Sequence, residues 1–251
     1  METATQYMFA IFATMLGYWV RLWRRAQLLG QPRLESRFVP FRTRAWSSDM
    51  LWSSFFWKSI QSSKWNSEHG KYPPIHWKGI LNMKDPFSLA SYPLLIFEVA
   101  PATIIEIGAF NGGSATWLAD MMAIQGIDGR VYSHEINVDR ITATHPRVQF
   151  KWADSRDLSS FDAELLAGLP HPWIVIEDAH TNVYNLLRFF NEMMKPGDYL
   201  VVEDTVHRPK YDELRKFMLE QGDNFLVDTR YTDLFGYNVT WHPNGYFKKM
   251  R

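Results

Sequence analysis

The sequence contains no cysteine among its 251 residues, which excludes disulfides, thiolate metal sites and cysteine nucleophiles. That absence fits a cytoplasmic location. Nor is there a surplus of either charge: Lys+Arg and Asp+Glu each total 27, so no global field draws the chain to nucleic acid. Long charge-free runs are also scarce. The one of note, Thr3 to Val20, is diluted by Thr5, Gln6, Thr14 and Gly17 and is followed by Arg21, Arg24 and Arg25. A secretory signal would carry its positive charge before the apolar run, and here the charge follows it. Three settings stay open, in order of preference: a helix packed on the protein or on a second subunit, a helix lying on a membrane surface, and a true span.

What is present is apolar and aromatic. At 46% hydrophobic residues, the chain has enough material for one doubly wound domain with extensions. Residues 1–74 read as an apolar helix followed by an aromatic cap, "AWSSDMLWSSFFWKSIQSSKW", in which Leu51, Phe55, Phe56 and Ile60 fall near one helical face. Such a segment suits self-association into a homo-oligomer, or contact with a membrane or partner.

From residue 75 the pattern alternates. "TIIEIG", "GRVYSHEIN", "VQFKWAD", "WIVIEDAH" and "DYLVVED" read as strands, separated by helical stretches. Two or three further strands, pairing as an antiparallel hairpin, are expected in "FLVDTRYTDLFGYNVTWHPNGYFKK". This alternation predicts an α/β fold with a mostly parallel sheet and right-handed crossovers. Ligands in such sheets bind beyond the carboxyl ends of the strands, where strand order reverses. Those ends carry acids: Glu106, Glu135, Asp154, Glu177-Asp178 and Glu203-Asp204. So many carboxylates on one rim point to a cation or a hydroxyl-rich ligand.

The first strand runs into Gly108-Ala109-Phe110-Asn111-Gly112-Gly113-Ser114. A dinucleotide turn places its second glycine where the pyrophosphate approaches, and here Phe110 stands at that position. S-adenosylmethionine has no phosphate and carries a sulfonium, so this turn suits it. Glu135 is then the ribose-hydroxyl acceptor at the end of the second strand, and Asp154 lies beside the adenine. The cofactor set read from the sequence is Glu106, Gly108, Ala109, Phe110, Gly112, Gly113, Ser114, Glu135, Asp154, Ser155 and Glu177.

The segments "IIEIGAFNGGSATWLAD", "GRVYSHEIN", "IEDAHTN" and "MKPGDYLVVEDT" resemble the cephalosporin hydroxylase family, a branch of the S-adenosylmethionine-dependent methyltransferases that includes antibiotic and sugar O-methyltransferases. The flanking "WKGILNMKDPFSLASYPLLIFEVAP" and "NVTWHPNGYFKK" are also similar, so the resemblance runs from about Ile75 to the last residue. It implies a Rossmann-like class I methyltransferase domain, S-adenosylmethionine as donor, magnesium or another divalent cation, and a small hydroxylated acceptor.

A hard divalent cation takes several oxygen ligands, and adjacent buried acids repel unless a cation balances them. Glu203, Asp204 and either Glu177 or Asp178 are the expected ligands, with Glu177 preferred because it matches the acid of the family's D-x-x-H spacing as Glu177-Asp-Ala-His180. His180 is the expected catalytic base, and a helix-capping role is its alternative. His207 is expected to line the acceptor pocket, while His134 flanks the ribose and His145 and His242 are structural turn residues. Tyr231, Phe235, Tyr237 and Trp241 either line that pocket or alternate between core and surface.

The reading is metal-assisted methyl transfer to a hydroxyl of a sugar or secondary metabolite. N- or C-methylation or non-methyl chemistry on the same fold, a noncatalytic docking protein, and an NAD oxidoreductase are the alternatives in descending order.

Overall fold

The computed structural model describes residues 37–48 and 75–251. The apolar N-terminal stretch and the predicted 51–60 helix lie outside the described residues. Among those described, no helix is long and apolar enough to cross a membrane.

Ten strands are described: β1 (Phe38–Pro40), β2 (His76–Trp77), β3 (Ile80–Leu81), β4 (Thr103–Ile107), β5 (Arg130–Glu135), β6 (Val148–Trp152), β7 (Trp173–Glu177), β8 (Tyr199–Val202), β9 (Phe225–Asp228) and β10 (Tyr246–Lys249). Eight form one sheet in the order β1-β9-β10-β8-β7-β4-β5-β6. The run β8-β7-β4-β5-β6 is parallel, as the alternation predicts. β10 is antiparallel to both of its neighbours, β8 and β9. The closing strands therefore pair as expected, although a helical turn and irregular chain join them.

The helices are α1 (Pro86–Val99), α2 (Gly113–Ile124), α3 (Ala163–Ala167), α4 (Val183–Asn191), α5 (Arg208–Gln221) and α6 (Thr229–Thr232). Asp85 starts α1, its carboxylate accepting from Phe87 N and Ser88 N, with Pro86 at the first turn. β4, β7 and β8 are buried along their whole length because both sheet faces are covered. Their period of two sorts side chains between two cores. Ile105, Ile107, Val175 and Val202 face α4 and α5. Ile104, Ile174, Ile176 and Val201 face α1 and α2.

Two features were not read from sequence. Phe38–Pro40, within the segment assigned to the cap, is the sheet's edge strand on β9. Residues 76–81 form a small hairpin, β2–β3, clasped to α2: Asp120 accepts from Trp77 Nε1 at 2.6 Å and from Lys78 Nζ at 2.8 Å.

Candidate active site

β4 pairs with β5 on one side and β7 on the other, so strand order reverses at β4 and the next strands diverge beyond it. A crevice of about 790 Å³ opens there, lined by residues at the carboxyl ends of β4 to β8, by Leu81 at the end of β3 and by Met83 beyond it. This volume falls in the range of small-molecule sites.

The glycine turn forms its floor. Gly108 has φ of +104°, and a Cβ there would lie 2.7 Å from the Asp178 carbonyl oxygen, so only glycine lets β4 and β7 end this close together. Phe110 also takes positive φ, +51°, and its ring reaches into the crevice. Its backbone N–H donates to Glu135 Oε2 at 2.8 Å, and Asn137 N donates to Oε1 at 3.0 Å. Each oxygen keeps a further lone pair, so the nearly buried Glu135 can still accept from a ribose hydroxyl.

Of the predicted cofactor residues, Gly108, Phe110, Glu135, Asp154 and Ser155 line the crevice. Glu106, Ala109, Gly112, Gly113, Ser114 and Glu177 do not line it. Glu106 is fully buried and accepts from Ser114 Oγ and Ser133 Oγ, both at 2.5 Å. Burial pushes its carboxyl upward against the pull of the Lys84 ammonium and these hydroxyls. Gly112 packs against Ala143 and Phe150, and Gly113 against the Leu81 carbonyl. Asp154 is clasped by Arg156, Nη2 to Oδ2 at 2.8 Å, which spends much of the acceptor capacity expected to face adenine.

The acid pairs separate in the same way, because neighbouring strand-end residues face opposite sides. Glu177 turns inward: its Oε1 caps the following turn by accepting from Ala179 N and His180 N, and its Oε2 is 2.7 Å from Lys210 Nζ. Glu203 also turns inward, accepting from Tyr92 OH at 2.5 Å and from Lys84 Nζ at 2.7 Å. Burial alone would push the Glu203 carboxyl up; the Lys84 ammonium overrides this and holds it at about 2. Lysines thus balance both Glu177 and Glu203, and neither of these two expected metal ligands lines the crevice. Asp178 and Asp204 remain on the crevice side, and with His180 they offer ligand atoms within 4.8 Å of one another.

His180, at φ of +60°, places Nε2 at 3.4 Å from both Asp178 Oδ1 and Asp204 Oδ2. Its Nδ1 is 3.0 Å from Lys210 Nζ. An ammonium has no lone pair, so Lys210 donates and the neutral ring carries its proton on Nε2. His180 therefore faces the carboxylates as a donor. Neither Lys84 nor Lys210 was recognised from sequence, and neither sits in a motif.

His134 lines the crevice next to Glu135 in sequence, and burial pushes its imidazole down to about 4. His207, by contrast, precedes α5 and does not line the crevice. Tyr231 and Trp241 are buried in the core, and Phe235 packs on Phe87 with ring centroids 5.3 Å apart. With Tyr237, which accepts from Ala45 N, they stand apart from the crevice.

Residues 71–250 match the model of the family described as Rhamnosyl O-methyltransferase/CmcI. The chain is 24% identical over 204 residues to the Rhamnosyl O-methyltransferase of Mycobacterium bovis (strain BCG / Pasteur 1173P2), covering 73% of this chain and 81% of that one. With the Rhamnosyl O-methyltransferase of Mycobacterium leprae (strain TN) it shares 24% identity over 149 residues, 57% of this chain and 65% of the relative's length. Among solved structures it resembles "cmcI-D160 Mg-SAM" at a TM-score of 0.61 and 28% identity, covering 72% of this chain and 79% of that one. The CmcI-N160 apo-structure gives the same TM-score at 27% identity, over 72% of this chain and 78% of that one. With residues 71–250 matched, the chain belongs to the Rhamnosyl O-methyltransferase/CmcI family of S-adenosylmethionine-dependent O-methyltransferases.

Proposed function

We propose that this protein transfers the methyl group of S-adenosylmethionine to a hydroxyl of a small sugar or secondary-metabolite acceptor, with a divalent cation such as magnesium at the acceptor site. The observation that carries the reading is the meeting of Asp178, His180 and Asp204 in a crevice that Glu135 also lines. Two carboxylates and crevice-facing room for water suit a hard cation.

When bound, S-adenosylmethionine supplies an electrophilic methyl on sulfonium, and a divalent cation makes an adjacent hydroxyl more acidic. The chain's own residues supply position. Glu135 would accept from the ribose, and Gly108 lets β4 and β7 end close together at the crevice floor. Asp178 and Asp204 would hold the cation, and His180 Nε2–H would donate to the acceptor oxygen and help orient it. The oxygen–carbon bond forms as the carbon–sulfur bond breaks, leaving a neutral thioether. The proton lost by the hydroxyl reaches solvent past the half-exposed His180.

Calorimetry with S-adenosylmethionine, NAD and Mn²⁺, followed by an acceptor screen, tests this. Asp204→Asn should abolish metal-dependent O-methyl transfer and keep cofactor affinity. Full transfer by this variant, or by wild type in chelator, would remove the metal from the mechanism, and absence of S-adenosylmethionine binding would remove the function.

A further inference from the structure

His242 lies far along the chain from the strand ends, beside a proline, and is 1% exposed. Both ring nitrogens are engaged. The backbone N–H of Asp204 donates to Nδ1 at 2.7 Å. Because Nδ1 accepts, the neutral ring carries its proton on Nε2, and that proton is donated to Ser88 Oγ at 2.8 Å. Ser88 in turn donates to Asp85 Oδ2 at 2.6 Å. Asp85 is anchored by its other oxygen, Oδ1, which accepts from Phe87 N at 2.8 Å and Ser88 N at 3.2 Å at the start of α1.

The end of this relay is a strained residue. Asp204 holds φ of +53°, which costs an L-residue free energy and persists only where the surroundings over-determine it. The surroundings do so here. Thr205 Oγ1 donates to the Pro243 carbonyl at 2.8 Å, and Val202 N donates to the Gly245 carbonyl at 2.9 Å. A Cβ at Gly245 would lie 2.5 Å from the Val202 carbonyl oxygen, so this glycine lets the 242–245 turn press against the end of β8.

We infer that His242 is a positioning residue: it fixes the backbone of Asp204 in the left-handed conformation that aims its carboxylate at Asp178 and His180. The inference rests on the reading of Asp204 as a metal-holding residue, and it assigns to the relay Asp85–Ser88–His242 the pre-organisation of that site. A buried polar cluster with only a packing role would not depend on which of the two ring nitrogens is kept.

Two isosteric changes separate these cases. In His242→Asn the amide oxygen takes the place of Nδ1 and still accepts from Asp204. In His242→Gln the amide reaches Ser88 and leaves the Asp204 N–H without its acceptor. Amide hydrogen exchange at Asp204 is read by NMR and Mn²⁺ affinity by calorimetry, with no acceptor or cofactor added. His242→Asn should keep slow exchange and near wild-type Mn²⁺ binding, whereas His242→Gln should accelerate exchange and weaken Mn²⁺ about 10-fold, the lower end for partners that orient metal ligands. Equal effects of the two changes on Asp204 exchange, or none in the Gln variant, would overturn the inference. If the Gln variant does not fold, Ser88→Ala, which releases the Nε2 end of the ring, takes its place; faster Asp204 exchange supports the relay and unchanged exchange overturns it. Wild-type protein that binds no Mn²⁺ defeats the metal reading, while Asp204 exchange still decides whether His242 holds that backbone.

Discussion

Lys84 Nζ lies 2.7 Å from Glu203 Oε2, with the lysine side chain 2% and the glutamate side chain 4% exposed. The same ammonium is 2.8 Å from Asp178 Oδ2. One buried lysine thus ties the end of β8 to the end of β7 and leaves the opposite oxygen of Asp178, Oδ1, for the crevice. Removing one partner strands a buried charge, so Lys84→Met should cost about 3–5 kcal/mol in urea unfolding at neutral pH. The double variant with Glu203→Gln should cost less than the sum of the two single changes. Additive costs would mean that the pair is not energetically coupled.

Glu135 and Asp154 differ in how much accepting capacity they have left, and cofactor affinity should report it. Glu135→Gln places an amide N–H₂ where Phe110 N–H and Asn137 N–H already donate, so S-adenosylmethionine binding should weaken about 10-fold, or about 1.4 kcal/mol. Asp154→Asn should change affinity less, because Arg156 already occupies both Asp154 oxygens. Calorimetric titration of both variants compares them, and the reverse ranking would move the cofactor's ribose away from Glu135.

His134 gives the fold a one-sided pH dependence. Its folded pKa is about 4 against an ordinary value of 6.5, so between these values the unfolded chain binds a proton that the folded chain refuses. The stability it contributes is fully present above about pH 6.5 and is lost as pH falls toward 4, up to about 3 kcal/mol. Wild type should therefore lose more stability between pH 7 and 4.5 than His134→Gln, by about 2–3 kcal/mol in paired urea titrations. Parallel losses would show that His134 accepts its proton in the folded protein.

Gly113 is pinned by the hairpin. A Cβ there would stand 1.9 Å from the Leu81 carbonyl oxygen, a backbone atom that cannot rotate away. Gly113→Ala should push β2–β3 off α2 and lower stability by about 1–3 kcal/mol, visible as a drop in melting temperature. Since Leu81 and Met83 line the crevice, cofactor affinity should fall with it. An unchanged melting temperature would mean that the hairpin yields without cost.

The strands, the glycine turn and the acidic rim were legible because they rest on local pattern: β-branched runs, a Gly108-to-Gly113 break, and a switch to helical period. What was not legible is which acid of each adjacent pair faces the crevice. That choice is made by where the strand stops and by partners distant in sequence: Lys84 is 94 residues from Asp178, and Lys210 is 33 residues from Glu177. A lone lysine in a loop or a helix carries no sign of the carboxylate it will neutralise. The same holds for Phe38–Pro40, whose partner is β9 at the other end of the domain. Family resemblance favoured Glu177 by spacing, whereas the backbone amides of Ala179 and His180 and the Lys210 ammonium claim that carboxylate for the turn.

The place of β10 between β8 and β9 sets an order of assembly. On the ribosome, β9 is made before β10, yet its sheet connection to the parallel strands runs through β10, and β1 is joined to the sheet through β9. The parallel strands can pair as they emerge, while β1 and β9 wait as an unattached ribbon until residues 246–249 have been made. The earliest described strand of the chain is thus secured by the last, and the nascent domain carries two open edges, at β8 and β9, until that moment.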